Sequence, residues 1–112
     1  MREFIERNRE LFNSKDEKGI IKALNSSNLT SHAKILIWAL YCLHEDLCFN
    51  VNLLEDFLII LDAETNVIFS TQIRGVKGRG VQGIKDYLKS EFLYRGISLP
   101  LDKLKVMLFF EQ

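Results

Sequence analysis

The chain has 112 residues, 15 basic and 15 acidic side chains, 47% hydrophobic and 11% aromatic residues, and a pI near 6.7. That size and composition predict one compact domain over residues 1–112 and exclude dominant disorder. The longest apolar run, Ile35 to Leu43, is nine residues, about half of the roughly 20 needed for a membrane span; the charged start Met1-Arg2-Glu3-Phe4-Ile5-Glu6-Arg7 lacks the apolar core of a secretory signal, so a cytoplasmic location with reduced thiols is expected.

Phe4, Ile5, Leu11 and Phe12 recur at helical spacing among Arg and Glu and predict an amphipathic helix over about residues 2–13. Ser14-Lys15-Asp16-Glu17 fits a capping box opening a second helix with Ile20, Ile21 and Leu24, which stops in Asn25-Ser26-Ser27-Asn28. A third helix begins near Thr30 or Ser31, and its body Ile35–Leu43 is apolar on every face, the mark of a central core helix. Leu47–Leu54 reads as an apolar connecting segment. Phe57–Leu61 and Val67–Ile73, joined by the turn residues Asp62–Asn66, predict an antiparallel hairpin. Four glycines from Gly75 to Gly83 predict a loop. Ile84, Tyr87, Leu88, Phe92 and Leu93 then mark a fourth helix, stopped by a left-handed Gly96, and Leu104–Phe110 closes the chain as a strand with Val106, Leu108 and Phe110 on one face.

The order ααα-ββ-α-β predicts an α+β fold in which three N-terminal helices pack on a small, mainly antiparallel three-stranded sheet with a crossover helix. The connection rules place the last strand parallel to the second strand and paired antiparallel with the first, so that Phe57–Leu61 occupies the sheet centre.

Gly78-Arg79-Gly80-Val81-Gln82-Gly83 spells G-x-G-x-x-G between a strand and a helix. A dinucleotide turn, however, belongs to a parallel βαβ unit, and neither Asp102 nor Glu111 clearly ends a second parallel strand, so no cofactor is expected. Arg74, Lys77, Arg79, Lys85 and Lys89 around the same loop form an alternative anion-binding set for nucleic acid, with Tyr87 or Tyr94 as stacking partners. Cys42, His44 and Cys48 lack a recognised metal spacing, and Cys42 falls inside the apolar helix, so no metal site is expected. His32 and His44 are the only imidazoles and no Ser or Cys is marked as their partner, while Asp46, Glu55 and Asp56 lack fixed geometry. A non-enzymatic protein follows.

Charge is segregated along the chain. Residues 1–34 carry seven bases and five acids, residues 35–73 six acids and no base, and residues 74–112 eight bases and four acids, a distribution of +2, −6 and +4. Opposed local fields on a neutral chain favour a specific partner over generic polyanion binding. Glu45, Asp46, Glu55, Asp56, Asp62 and Glu64 are the candidate contact carboxylates. Two of their clusters bracket Leu47–Leu54, which supplies Phe49 as an apolar anchor and also suits homodimerisation.

In size, compartment and acidic character the chain resembles the small cytoplasmic immunity proteins with which bacteria neutralise their own nuclease toxins. The resemblance is one of overall profile. It implies occlusion: carboxylates pair with the Arg and Lys that the basic toxin uses for substrate phosphates, while apolar anchors set the lifetime of the complex.

Overall fold

Local hydrogen bonds and left-handed residues set several of the helix boundaries. The structure, a computed structural model, describes residues 1–109, with the side chain of Lys77 and residues 110–112 outside the description. The first helical segment is broken into α1 (Arg2–Arg7) and α2 (Arg9–Asn13) at Asn8, whose side-chain amide donates to the Phe4 carbonyl at 2.9 Å and competes with the helical ladder. The cap of α3 (Glu17–Ser26) is Asp16 rather than Ser14. Lys15 turns the chain left-handed (φ 58), and the Asp16 carboxylate accepts from the Gly19 N–H at 3.0 Å. A Cβ at position 19 would lie 2.4 Å from Asp16 Oδ2, so glycine permits this cap. Helix α4 (Ser31–Glu45) starts at Thr30, whose hydroxyl accepts from the Ala33 N–H at 3.2 Å, and ends at Asp46 in the left-handed region (φ 57).

The glycine stretch is shorter as a loop than its composition predicts. A 3-10 turn at Lys77–Arg79 leads into α5 (Gly80–Tyr94), so Gly83 is helical and buried, and the side chain of Arg79 occupies the space a Cβ there would need. At the far end Gly96 is left-handed (φ 76), as expected, and the Ile97 N–H closes on the Phe92 carbonyl at 2.8 Å.

The sheet has four strands, not three, and is mixed. Strand β1 (Cys48–Leu54) fills the segment read as a connection, followed by β2 (Phe57–Leu61), β3 (Val67–Gln72) and β4 (Lys105–Phe109), in the order β3-β2-β1-β4. The hairpin of β2 with β3 is antiparallel as expected. The last strand does not pair with β2: it crosses beyond it and pairs parallel with β1, Phe49 opposite Val106 and Val51 opposite Leu108. The reason lies in β1, which already occupies the free edge of β2 as an antiparallel neighbour. Phe110, expected at the end of the last strand, lies outside the described residues.

Alternation sorts the sheet into two faces. Phe49, Val51, Leu53, Leu58, Ile60 and Phe69 join the buried core with Ile35, Leu36 and Trp38 of α4 and Ile84, Leu88 and Phe92 of α5. Helix α4 packs on β1 and β3, and α5 on β4. Residues of α4 are buried from Ala33 to Cys42 on most of its circumference, which makes it the central helix its all-round apolarity predicts. The opposite face carries Asn50, Asn52 and Leu54 of β1, Phe57 and Ile59 of β2, Ser70 and Gln72 of β3, and Met107 and Phe109 of β4. None of these belongs to the core cluster.

The two faces predict unequal responses to truncation. Phe49→Ala removes a fully buried ring and is expected to cost about 3–5 kcal/mol in urea unfolding, whereas Phe57→Ala on the open face should cost below about 1 kcal/mol. Equal losses would contradict the assignment of faces.

Candidate functional site

Folding divides the six acids of the middle segment into two groups. Strand β1 separates Glu45 and Asp46 from Glu55 and Asp56 by roughly 20 Å, at opposite ends of the sheet. At the first end, Lys15 Nζ lies 3.6 Å from the largely buried Glu45 carboxylate, and Lys105 Nζ lies 3.0 Å from Asp46. Asp62 organises the β2–β3 turn, where its carboxylate accepts from the N–H groups of Glu64 at 2.9 Å and Asn66 at 2.8 Å. Burial alone would raise the Asp62 carboxyl, but these hydrogen bonds and the charge of Lys18 hold it below the usual carboxylate range. Glu64 is exposed beside it. Phe49, expected as an anchor, has no exposed surface and belongs to the core, so it is unavailable to a partner of the folded domain.

At the other end Leu54-Glu55-Asp56-Phe57 forms the tip of the β1–β2 hairpin. Glu55 sits in the left-handed region (φ 53), a conformation that costs a side-chain-bearing residue about 1 kcal/mol. Among the described residues neither Glu55 nor Asp56 joins an ion pair. Leu54 and Phe57 flank them, 41% and 42% exposed, and continue into Ile59 on the open face. The tip therefore presents two unpaired carboxylates between two apolar side chains.

The basic residues do not gather into one patch. Arg74 and Arg79 line a groove of about 370 Å³ between the β3–α5 connection and α5, opposite Asp86 and Glu91. Lys85 reaches away to the Asp102 carbonyl at 3.3 Å, and Lys89 is exposed farther along α5. The Lys77 side chain lies outside the described residues. Tyr94 is exposed at the C-terminal end of α5, roughly 20 Å along the axis from Arg79, so it does not form a stacking platform with the loop.

A polar cluster absent from the sequence reading joins three elements beside this groove. His32 of α4 hydrogen-bonds the Tyr87 hydroxyl of α5 through Nδ1, while the hydroxyl of Thr71 of β3 lies 3.3 Å from Nε2. Glu91 comes within 3.9 Å of His32 Nδ1 and pairs with Arg95 at 2.7 Å. Burial, reinforced by Glu91, pushes the Tyr87 phenol above its ordinary range and keeps it protonated. These partners lie 39 and 55 residues apart in the chain, and no local pattern announces them. The one available sign was a polar Thr71 at an inward position of β3.

Among the described residues no three His, Cys, Asp or Glu side chains converge as a metal-binding group. Cys42 is buried, and desolvation, with Glu17 and Cys48 acting in the same direction, pushes its thiol up to about 12. Cys48 is exposed.

Two consequences follow for stability. Tyr87→Phe leaves His32 Nδ1 without its partner and should cost about 1 kcal/mol in urea unfolding. The Cys42 and Tyr87 values lie above the ordinary 9.0 and 10.0, so their stabilisation is complete below those pH values and declines as pH rises toward the folded-state values. Unfolding free energy is expected to fall above pH 9, less steeply in Cys42→Ala; a flat alkaline limb in the parent would contradict this. No family model, curated protein or solved structure matches the chain.

Proposed function

We propose that the domain is a non-enzymatic protein-binding module that docks on a basic protein through the β1–β2 hairpin tip and the adjoining open sheet face. The observation that carries this reading is the juxtaposition of Glu55 and Asp56, without an ion pair among the described residues, with exposed Leu54 and Phe57. Carboxylates without intramolecular partners speed encounter with a cationic surface, and apolar neighbours that lose water on contact slow dissociation. Glu45 and Asp46, already paired with lysines, have a lesser share.

Among basic partners, a nuclease-type toxin suits the tip, because two adjacent carboxylates can take the places of substrate phosphates between its Arg and Lys side chains. The domain then acts as a cytoplasmic immunity protein, by occlusion and without chemistry of its own. This identification rests on the resemblance in profile together with the tip.

The experiment is co-expression with the products of neighbouring open reading frames, followed by charge reversal. The double variant Glu55→Lys/Asp56→Lys should weaken a basic, toxic partner by tenfold or more, with unchanged thermal stability, while Glu45→Lys/Asp46→Lys should have a smaller effect on binding. Unchanged binding by the tip variant would refute the surface. Recovery of nucleic acid dependent on Arg74 and Arg79 would favour the anion-binding alternative, and a dimer dissolved by Phe57→Ala would assign the face to a second copy.

A further inference from the structure

The groove beneath Arg74 and Arg79 adjoins the hairpin tip, since the Ile73 N–H in its lining donates to the Asp56 carbonyl at 2.6 Å, but none of residues 54–57 lines it, and nothing in the protein-binding reading is needed for it. Its volume, about 370 Å³, lies within the range of small-ligand sites. Arg79 lies against Gly83, where an added Cβ would meet Arg79 Cβ at 2.2 Å and its Cγ and Cδ at 3.2 Å, so a larger residue at position 83 would shift the turn that carries the arginine. Of the two carboxylates lining the groove, one has a cationic partner and the other a neutral one. Glu91 binds Arg95 at 2.7 Å, and Asp86 accepts from the Gln82 amide at 2.9 Å. Among the described residues no carboxylate lies within 4.0 Å of Arg74 or Arg79.

Two hydroxyl-bearing residues, Tyr87 and Ser90, also line the groove. The Tyr87 oxygen is fixed from behind by His32, itself braced by Thr71. When Thr71 donates to His32 Nε2, the imidazole carries its proton on Nδ1 and donates to the Tyr87 oxygen, which frees the phenolic O–H for the groove.

We propose that this groove binds a small ligand carrying an oxyanion, a carboxylate or a phosphate monoester, with Arg74 and Arg79 taking the charge and Tyr87 and Ser90 donating hydrogen bonds. Planar guanidinium groups suit either anion, because both present paired oxygens to a two-pronged donor.

The test is NMR titration of the full chain with inorganic phosphate, phenyl phosphate and succinate as separate probes. Saturable shifts centred on residues 74–91 are expected, together with a change in the His32 ring ¹⁵N signals toward the Nδ1–H tautomer. Arg74→Gln and Arg79→Gln should each weaken binding by about tenfold or more. Gly83→Ala should do so by displacing Arg79, and the two arginine variants keep the test decisive if that chain is unstable. Saturation by succinate alone assigns the carboxylate, and by the phosphates alone the phosphate monoester. Absence of saturable binding for all three probes, or binding indifferent to both arginine variants, would overturn the proposal, as would binding of an oligonucleotide without any response to the small anions.

Discussion

The alternation of Phe49, Val51 and Leu53 against Asn50, Asn52 and Leu54 along β1 is the constraint on which the rest of the molecule depends. β1 carries two ladders, antiparallel to β2 and parallel to β4, so its register sets both. A slip of one residue would turn two asparagines into the core and Phe49 into solvent. Buried amides without partners cost about 1–3 kcal/mol each, and loss of a buried aromatic costs more. That penalty fixes which side of the hairpin tip faces outward, and so joins Leu54 and Phe57 to the open face. Because β1 blocks the free edge of β2, it also sends the α5 crossover past two strands to the far edge.

Folding rearranges the charge segregation seen along the chain. Lysines from both flanking segments return to the acidic middle, Lys15 to Glu45 and Lys105 to Asp46, with Lys18 acting on Asp62. Exposed pairs of this kind contribute about 0–1 kcal/mol to stability. Their larger consequence is the shape of the field: one end of the sheet is compensated, while among the described residues no cation pairs with the hairpin-tip carboxylates. A linear charge count locates a partner surface only to the extent that the fold does not bring its counter-ions back.

The helices were legible because their signals are local. The all-round apolarity of Ile35–Leu43, the Thr30 start and the Gly96 stop each reflect contacts within one turn, and each appears where the pattern places it. Ser14 misled because Lys15 turns the chain before the helix begins and hands the cap to Asp16. β1 was missed although Phe49-Asn50-Val51-Asn52-Leu53 alternates with period two, since asparagine disfavours strands and the outward position that excuses it is set by β2 and β4. The same gap displaced the last strand onto the wrong neighbour. The His32–Thr71–Tyr87 cluster was illegible for a different reason: its members come from three elements and meet only after packing. That Glu55 and Asp56 have no ion pair among the described residues likewise emerges only on folding, which sends Lys15 and Lys105 to the other end of the sheet.

The register of β1 is most directly tested by native-state thiol labelling, because Cys48 opens the strand on the exposed side while Cys42 is buried with its thiol raised to about 12. The account predicts that one thiol per folded chain reacts rapidly with a neutral disulfide reagent, that peptide mapping places it at Cys48, and that Cys42 reacts only on unfolding. A protected Cys48 would contradict the register and with it the outward placement of Leu54 and Phe57, while rapid reaction at Cys42 would contradict the burial of α4.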